Sequence, residues 1–300
     1  MISVSGRDWQ KVDFNAKIAK KIQQEFNLSQ ILSELIASRN FSENEIYLIE
    51  NNLELSNIFK KNQDFIKSSE LLEIAIKNKE KICILGDYDV DGSAATSLWI
   101  KFLKSINHPH FHYIPDREQD GYGASKKIFE KLIQYKPKLI IMVDCGSTSL
   151  EAINYLNENN IKSLVIDHHE IPKPFPKANV IINPKKDNGY IEYDYLCATT
   201  LTYFFLDILI RKIKCKINLR KYLIYVLLAT VCDVMPIRKL NRLIAITALE
   251  EFDINQNILF KELYKLTNKK NRINIDDLGF LIGPILNSGG RLGKSGYAVD

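Results

Sequence analysis

Seven residues, Gly86-Asp87-Tyr88-Asp89-Val90-Asp91-Gly92, constrain this chain more than any other stretch. Three carboxylates fall on alternate positions directly after the apolar run Ile82-Cys83-Ile84-Leu85, which reads as a buried parallel strand. Ser93 to Ile100 then reads as a helix, so the aspartates occupy a strand-to-helix turn. In an open α/β sheet such turns lie at the carboxyl edge of the strands, where ligands bind. Carboxylates packed this closely repel one another, and a bound cation is the physical remedy. Two plainer readings compete. One is a solvated acidic loop; the other is a calcium hand, which the Asp-x-Asp-x-Asp-Gly spacing resembles. A calcium hand needs Glu at the twelfth loop position and a helix ahead of it. Counting from Asp87 that position is Leu98, and a strand pattern precedes, which counts against that chemistry.

The strand-and-helix alternation continues downstream. Phe111 to Pro115 reads as a strand running into Asp116 to Gly123, and a helix is expected near Ala124 to Gln134. The apolar run Leu139 to Val143 ends on Asp144-Cys145-Gly146-Ser147, and Ser163 to Ile166 ends on Asp167-His168-His169-Glu170. Val180 to Ile182 reads as a further strand. The pattern predicts an α/β fold, a mainly parallel sheet with helices on both faces, and three polar clusters converging on one edge. A helical N-terminal segment precedes it, with Ile18, Ile22, Phe26, Ile31, Leu32, Leu35 and Ile36 at helical spacing and a capping box at Ser42-x-x-Glu45. From Cys197 the pattern is helical through Leu201 to Ile210 and Tyr222 to Ala229, and Pro236 stops the second helix. Asn287 to Gly293 reads as a glycine-rich turn. The expected division is 1–75 helical segment, 76–255 metal-binding domain, and 256–300 helical connector towards a second domain outside this chain.

Composition narrows the class without naming the chemistry. At 46% hydrophobic and 26% charged the chain is globular, and a net charge of +5 permits a polyanionic partner without demanding one. Five cysteines form no CxxC pair, which argues for buried thiols in a reducing compartment over disulfides or a zinc site. No signal-type segment and no apolar stretch of roughly 18 residues is present, so the expectation is a cytoplasmic protein with no membrane association.

Asp87, Asp89, Asp91, Asp144, His168, His169 and Asp233 together suit two hard or borderline divalent ions, Mn2+ or Mg2+. Two such ions roughly 3.5–4 Å apart activate water and clamp a phosphate oxygen. Asp144, alone at the end of a middle strand, is the bridging candidate; the competing reading is a helix N-cap ahead of Ser147 to Leu150. Tandem His168-His169 competes with one buried structural histidine and one exposed one. Asp233 at a helix C-terminus is electrostatically unfavourable and points to a nearby cation. Arg117 with Gly121-Tyr122-Gly123, and Arg291 among Gly289, Gly290 and Gly293, could each hold a phosphate or be ordinary surface contacts. The His108, His110, His112 alternation is interrupted by Pro109 and has no adjacent acid, so it reads as non-functional.

The motifs Gly-Asp-Tyr-Asp-Val-Asp-Gly, Ile-Pro-Asp-Arg-Glu-Gln-Asp-Gly-Tyr-Gly, Val-Asp-Cys-Gly, Asp-His-His, Ala-Thr-Val-Cys-Asp-Val-Met-Pro and Asn-Ser-Gly-Gly-Arg-Leu-Gly occur in one order. That order resembles the DHH-family phosphoesterases, and within them the RecJ branch of single-strand-specific exonucleases, over about residues 80 to 293. The resemblance implies that Asp87, Asp89, Asp91, Asp144, His168 and Asp233 bind two Mn2+ or Mg2+ ions, with Asp144 bridging and catalysis shared by Asp144, His168 and His169. It implies that His169 contacts the scissile phosphate, that Arg117 with Gly121, Tyr122 and Gly123 holds the backbone, and that Arg291 meets the nucleotide. The implied activity is hydrolysis of single-stranded DNA from its 5′ end in repair and recombination, releasing 5′-mononucleotides. Rival readings are a phosphodiesterase acting on short oligonucleotides or cyclic dinucleotides, and a non-catalytic DNA-binding scaffold. The scaffold should have lost metal ligands, and none is lost here. Departures are small: Asn-Ser where alanines are common, and Cys197-Ala198-Thr199 where a glycine is common after the first residue, both of which put local backbone fit in question. Protein partners such as a single-strand-binding protein or a helicase leave no signature in the residues.

Overall fold

The computed structural model describes residues 2, 4–8, 10, 12–43, 45, 46, 55–116, 119–121, 123–186, 190–270, 272–291 and 295–299. The chain divides into two compact units, Met1–Glu54 with Arg238–Leu243, and Leu55–Ile237 with Ile244–Asp300. The smaller unit holds α1 (Ala16–Phe26) and α2 (Gln30–Ser38). Asn15 Oδ1 accepts the Lys17 and Ile18 amides at 3.0 and 3.3 Å, and Ser29 Oγ caps α2 through Leu32 N. The apolar positions at helical spacing become its core: Ala19, Ile22, Ile36, Ala37 and Ile46, against Phe14, Phe26, Leu28, Leu32 and Phe41. The expected Ser-x-x-Glu pair forms, with Glu45 Oε2 accepting from Ser42 N at 3.0 Å. Arg238 closes on the same carboxylate at 2.6 and 2.8 Å, and with Ser42 it holds the Glu45 carboxyl down at about 2.

The larger unit is the α/β body. Its elements run α3 (Gln63–Lys77), β1 (Ile82–Gly86), α4 (Val90–Ser105), β2 (His110–Tyr113), α5 (Lys126–Leu132), β3 (Leu139–Val143), α6 (Leu150–Glu158), β4 (Lys162–Ile166) and β5 (Val180–Ile182). Helices α7 (Ala198–Lys212), α8 (Leu223–Cys232), α9 (Lys239–Glu251), α10 (Ile258–Leu266) and α11 (Gly283–Arg291) follow. The five strands pair in the order β2-β1-β3-β4-β5, every pair parallel. Strand residues alternate between faces. Cys83, Leu85, Ile140, Met142, Val165 and Ile181 pack with Ile128, Phe129, Leu132, Ile153 and Leu156 of α5 and α6. The opposite face is covered by α3, α4 and α7. Both faces are therefore dry, which is why β1 and β3 read as unbroken apolar runs.

The same burial explains α4, in which Val90 to Thr96, Leu98 to Ile100, Phe102 and Leu103 are all buried. Such a helix needs no polar stripe, and it starts where Asp89 Oδ1 accepts the Gly92 amide at 2.9 Å. Gly86 and Gly92 let it come close: a Cβ on Gly86 would collide with Thr96 Oγ1, and one on Gly92 would lie 2.5 Å from the backbone of Asp87. Two sequence expectations need correction in detail. The glycine-rich stretch at 287–293 is not a turn as far as it is described, because Gly283–Arg291 is helical. Its glycines serve packing: a Cβ on Gly283 would collide with Cys232 Sγ, and Gly290 lies against the Tyr88 carbonyl. The strand expected at Phe111 to Pro115 runs instead from His110 to Tyr113, set by its pairing with Ile82 to Leu85. Of the alternating histidines, His108 bonds the Glu80 carbonyl at 2.7 Å and His110 bonds the His108 carbonyl at 2.7 Å, a structural use.

Gly92→Ala should therefore destabilise the protein by about 1–3 kcal/mol through overpacking against fixed backbone. Gly296→Ala, where a Cβ meets open space, should stay within about 0.5 kcal/mol of the parent. Urea unfolding of the two variants makes the comparison, and equal midpoints would remove the close approach from the account.

Candidate metal centre

Parallel register makes the site. Gly86, Val143, Ile166 and Ile182 pair across β1, β3, β4 and β5, so four strands end level. The next residue on each is Asp87, Asp144, Asp167 and Asn183, one row with strands about 4.8 Å apart. The row straddles the point between β1 and β3 where strand order reverses, the usual ligand position of an open α/β sheet. Asp144 turns out of β3 with φ +61, left-handed geometry that Asp tolerates better than most side chains. It is not an N-cap, since α6 begins after Ser149.

Around the row the remaining groups close in. His168 Nε2 lies 3.3 Å from Asp144 Oδ1 and from Asp233 Oδ2, and 3.8 Å from Asp91 Oδ2. Asp233 arrives as the C-cap of α8. Three groups bring ligand atoms within 4.8 Å of one another: Asp87, Asp89 and Asp144; Asp144, His168 and His169; Asp91, His168 and Asp233. Asp144 is common to two of them and His168 to two. Asp87 Oδ1, both oxygens of Asp144, His168 Nε2 and Asp233 Oδ2 are buried without a hydrogen-bond partner. Stranded polar atoms of this kind cost free energy unless something satisfies them. Oxygen and imidazole donors in this number fit two divalent ions such as Mn2+ or Mg2+.

Electrostatics agree. Burial, reinforced by Asp89, pushes Asp87 up to about 7; burial, reinforced by Asp91 and Asp89, does the same for Asp233. Asp144 is raised well above the carboxylate range by burial and by four neighbouring acids. Asp89 is raised by burial and by Asp91. Burial lowers His168. His169 is raised because its Nδ1 bonds Asp167 Oδ1 at 2.8 Å.

Sequence reasoning passed over Asp167 and Asn183 as positioning groups and gave Asp91 a ligand role only. Burial alone would raise Asp167, yet the His169 ring together with the Ser147 side chain and the His169 amide holds it below the ordinary range, and its Oδ2 also accepts the Ser147 amide at 3.0 Å. Asp167 Oδ1 also accepts the His168 amide at 2.8 Å, so one carboxylate orients both histidines. Asn183 Nδ2 donates to Ser147 Oγ at 2.8 Å and to the His169 carbonyl at 2.9 Å. Asp91 Oδ2 and Oδ1 accept the Ala198 and Thr199 amides at the start of α7, at 2.7 and 2.8 Å, with Cys197 as the N-cap residue of that helix. The carboxyl-edge position of Asp167 was the one available signal. Arg117 and Tyr122 lie outside the described residues, as does the side chain of Arg291; Gly121 and Gly123 carry φ of +80 and +72. A cavity of about 1060 Å³ runs along α4 from Val90 to Lys101, and its lining contains none of the clustered acids or histidines.

An α/β protein with a carboxylate–imidazole centre for divalent ions at its switch point is thus defined. Residues 81–230 match the DHH family, N-terminal domain, and the chain belongs to that family of phosphoesterases. It is similar to the single-stranded-DNA-specific exonuclease RecJ of Bacillus subtilis, 26% identical over 284 residues, covering 93% of this chain and 35% of that protein. RecJ of Haemophilus influenzae is 30% identical over 241 residues, covering 77% of this chain and 42% of that one. The chain spans between a third and a half of the length of these relatives. Among solved structures, RecJ bound to manganese superposes with a TM-score of 0.70 at 23% identity, over 83% of this chain and 61% of that one. RecJ from Thermus thermophilus in complex with Mn2+ gives 0.78 at 20% identity, over 95% and 40%. These likenesses show the fold. Among the described residues no helix is long and apolar enough to cross a membrane.

Acids whose folded pKa is raised hold protons more tightly folded than unfolded. Their contribution to stability is therefore lost as pH rises from about 4 through the folded values near 7. Lowered His168 works the other way below about 6.5, but it is one group against four. In chelator the urea midpoint should fall between pH 5.5 and 8, and manganese at pH 8 should restore it. A metal-free protein more stable at pH 8 than at 5.5 would contradict the repulsive cluster.

Proposed function

We propose that this chain hydrolyses phosphodiester bonds of single-stranded DNA from the 5′ end, releasing 5′-mononucleotides, with two Mn2+ or Mg2+ ions. The observation that carries the reading is the set of buried, unpartnered ligand atoms centred on Asp144 at the carboxyl edge of the sheet. The relatives named as single-stranded-DNA-specific exonucleases support the substrate. In this reading Asp87, Asp89, Asp91, Asp144, His168 and Asp233 would hold the ions, with Asp144 common to two of the three ligand groups. When bound, the ions supply an activated water and neutralise charge on the phosphate oxygens.

The chain's own groups do the rest. His169 is assigned to the substrate rather than to the ions, with its ring oriented by the Nδ1 bond to Asp167 Oδ1 at 2.8 Å. The same bond raises its proton affinity, so the ring donates a hydrogen bond to a phosphate oxygen and can pass a proton to the departing 3′ oxygen. Asp167 stabilises the charged ring and fixes its orientation. Asn183 holds the His169 carbonyl, which limits rotation of the loop beyond β4. Asp91 ties α4 to α7, so the ligand-bearing turn cannot spread as charge builds. Arg117, the Gly121-Tyr122-Gly123 stretch and Arg291 are the proposed strand contacts. The 5′ polarity is proposed on the motif resemblance.

The test uses 5′- and 3′-labelled single strands with manganese, magnesium or chelator. The expected products are mononucleotides from the 5′ end, only with metal, and Asp144→Asn should lower the rate by at least about a hundredfold. His168→Ala should weaken manganese binding in calorimetric titration, whereas His169→Ala should lower turnover with little loss of affinity. Wild-type cleavage by Asp144→Asn, or the larger affinity loss at His169, would reverse these roles.

A further inference from the structure

The carboxyl-edge row ends at Asn183, and the chain turns there under unusual control. Asn183 N donates to Tyr190 Oη at 2.9 Å, and Asn183 Oδ1 accepts the Lys185 amide at 2.8 Å, so the backbone of Lys185 is pinned at the rim of the centre. The two lysines of this turn then part company. Lys186 Nζ is spent on structure, 2.6 Å from Asp64 Oδ2 and 3.1 Å from the Ile181 carbonyl. Among the described residues Lys185 Nζ meets Glu170 Oε1, at 2.9 Å, and Glu170 is the residue directly after His169. The Glu170 side chain is 86% exposed, against 26% for Lys185, so the pair is held from the solvent side and exchanges readily. Lys185 also lies close enough to act on both His168 and Asp233 through space.

We infer that Lys185 is a substrate-binding residue that leaves Glu170 to hold a non-bridging phosphate oxygen beside His169. The inference rests on the phosphoesterase reading and adds a contact to it. A compact ammonium with three rotatable donors suits this task, because it follows an oxygen whose position shifts during reaction. Glu170 then acts as a placeholder that competes with the phosphate for the same ammonium. The two residues consequently carry opposite signs: removing Lys185 weakens phosphate binding, and removing the Glu170 charge strengthens it.

The 300-residue chain loaded with manganese is titrated with inorganic phosphate, and cleavage of an oligothymidylate is followed over a range of salt. Lys185→Met should raise KM and the phosphate dissociation constant roughly ten- to a hundredfold, with kcat and manganese affinity changing far less. Its log–log salt slope for strand binding should shrink by about 0.7, one phosphate contact on a single strand. Lys185→Arg should recover part of the loss, and Glu170→Gln should lower KM. If the parent protein cleaves the strand and Lys185→Met keeps its KM and salt slope, this inference fails while the nuclease reading stands. If the parent leaves oligothymidylate intact, the nuclease reading fails, and the phosphate titration still decides. Weaker phosphate binding by Lys185→Met then supports the contact, and equal binding or none by the parent overturns it.

Discussion

Mutual repulsion among buried carboxylates is the constraint that the rest of the larger unit serves. Asp87, Asp144 and Asp167 stand side by side at the ends of three paired strands, with Asp89, Asp91 and Asp233 closing over them. Left alone, such a row would push the strand ends apart. What resists it is geometry fixed elsewhere: strands buried on both faces, a helix seated directly on the β1 turn through Gly92, and Asp91 gripping the first amides of α7. The acids fall into two classes by partner. Asp91 and Asp167 have their oxygens satisfied by protein donors and organise the site. Asp87, Asp144 and Asp233 keep unpartnered oxygens and await a cation. Asp91 does both, since its carboxylate also lies in a candidate ligand group with His168 and Asp233.

Much of this was legible in the sequence, for a physical reason. A parallel strand covered on both faces must be apolar to its end, so the first polar residue after each run marks the carboxyl edge. Asp87, Asp144 and His168 were visible on that basis. Level strand ends were not, because register is decided by pairing between residues far apart in the chain. The same holds for Asp167, whose work is to accept amides from Ser147 and His168, and for Asn183, which meets His169 from another strand. The helix at Gly283–Arg291 was missed because glycine argues locally for a turn. Close approach to Cys232 and Tyr88 overrides that preference.

The proposed ligand set lies within one compact unit, between Asp87 and Asp233. Metal binding can therefore be separated experimentally from the grip on a long strand, which draws on phosphate contacts outside the cluster. That separation matters for a chain spanning less than half of its curated relatives.

The central claim is that the row around Asp144 holds two ions sharing one carboxylate. Manganese titration of the metal-free protein, followed by electron paramagnetic resonance, addresses it directly. Two ions roughly 4 Å apart are magnetically coupled. The account predicts uptake of two equivalents per chain, with the isolated-ion signal replaced by a coupled spectrum as the second equivalent binds. Saturation at one equivalent, or two ions with uncoupled spectra, would contradict it.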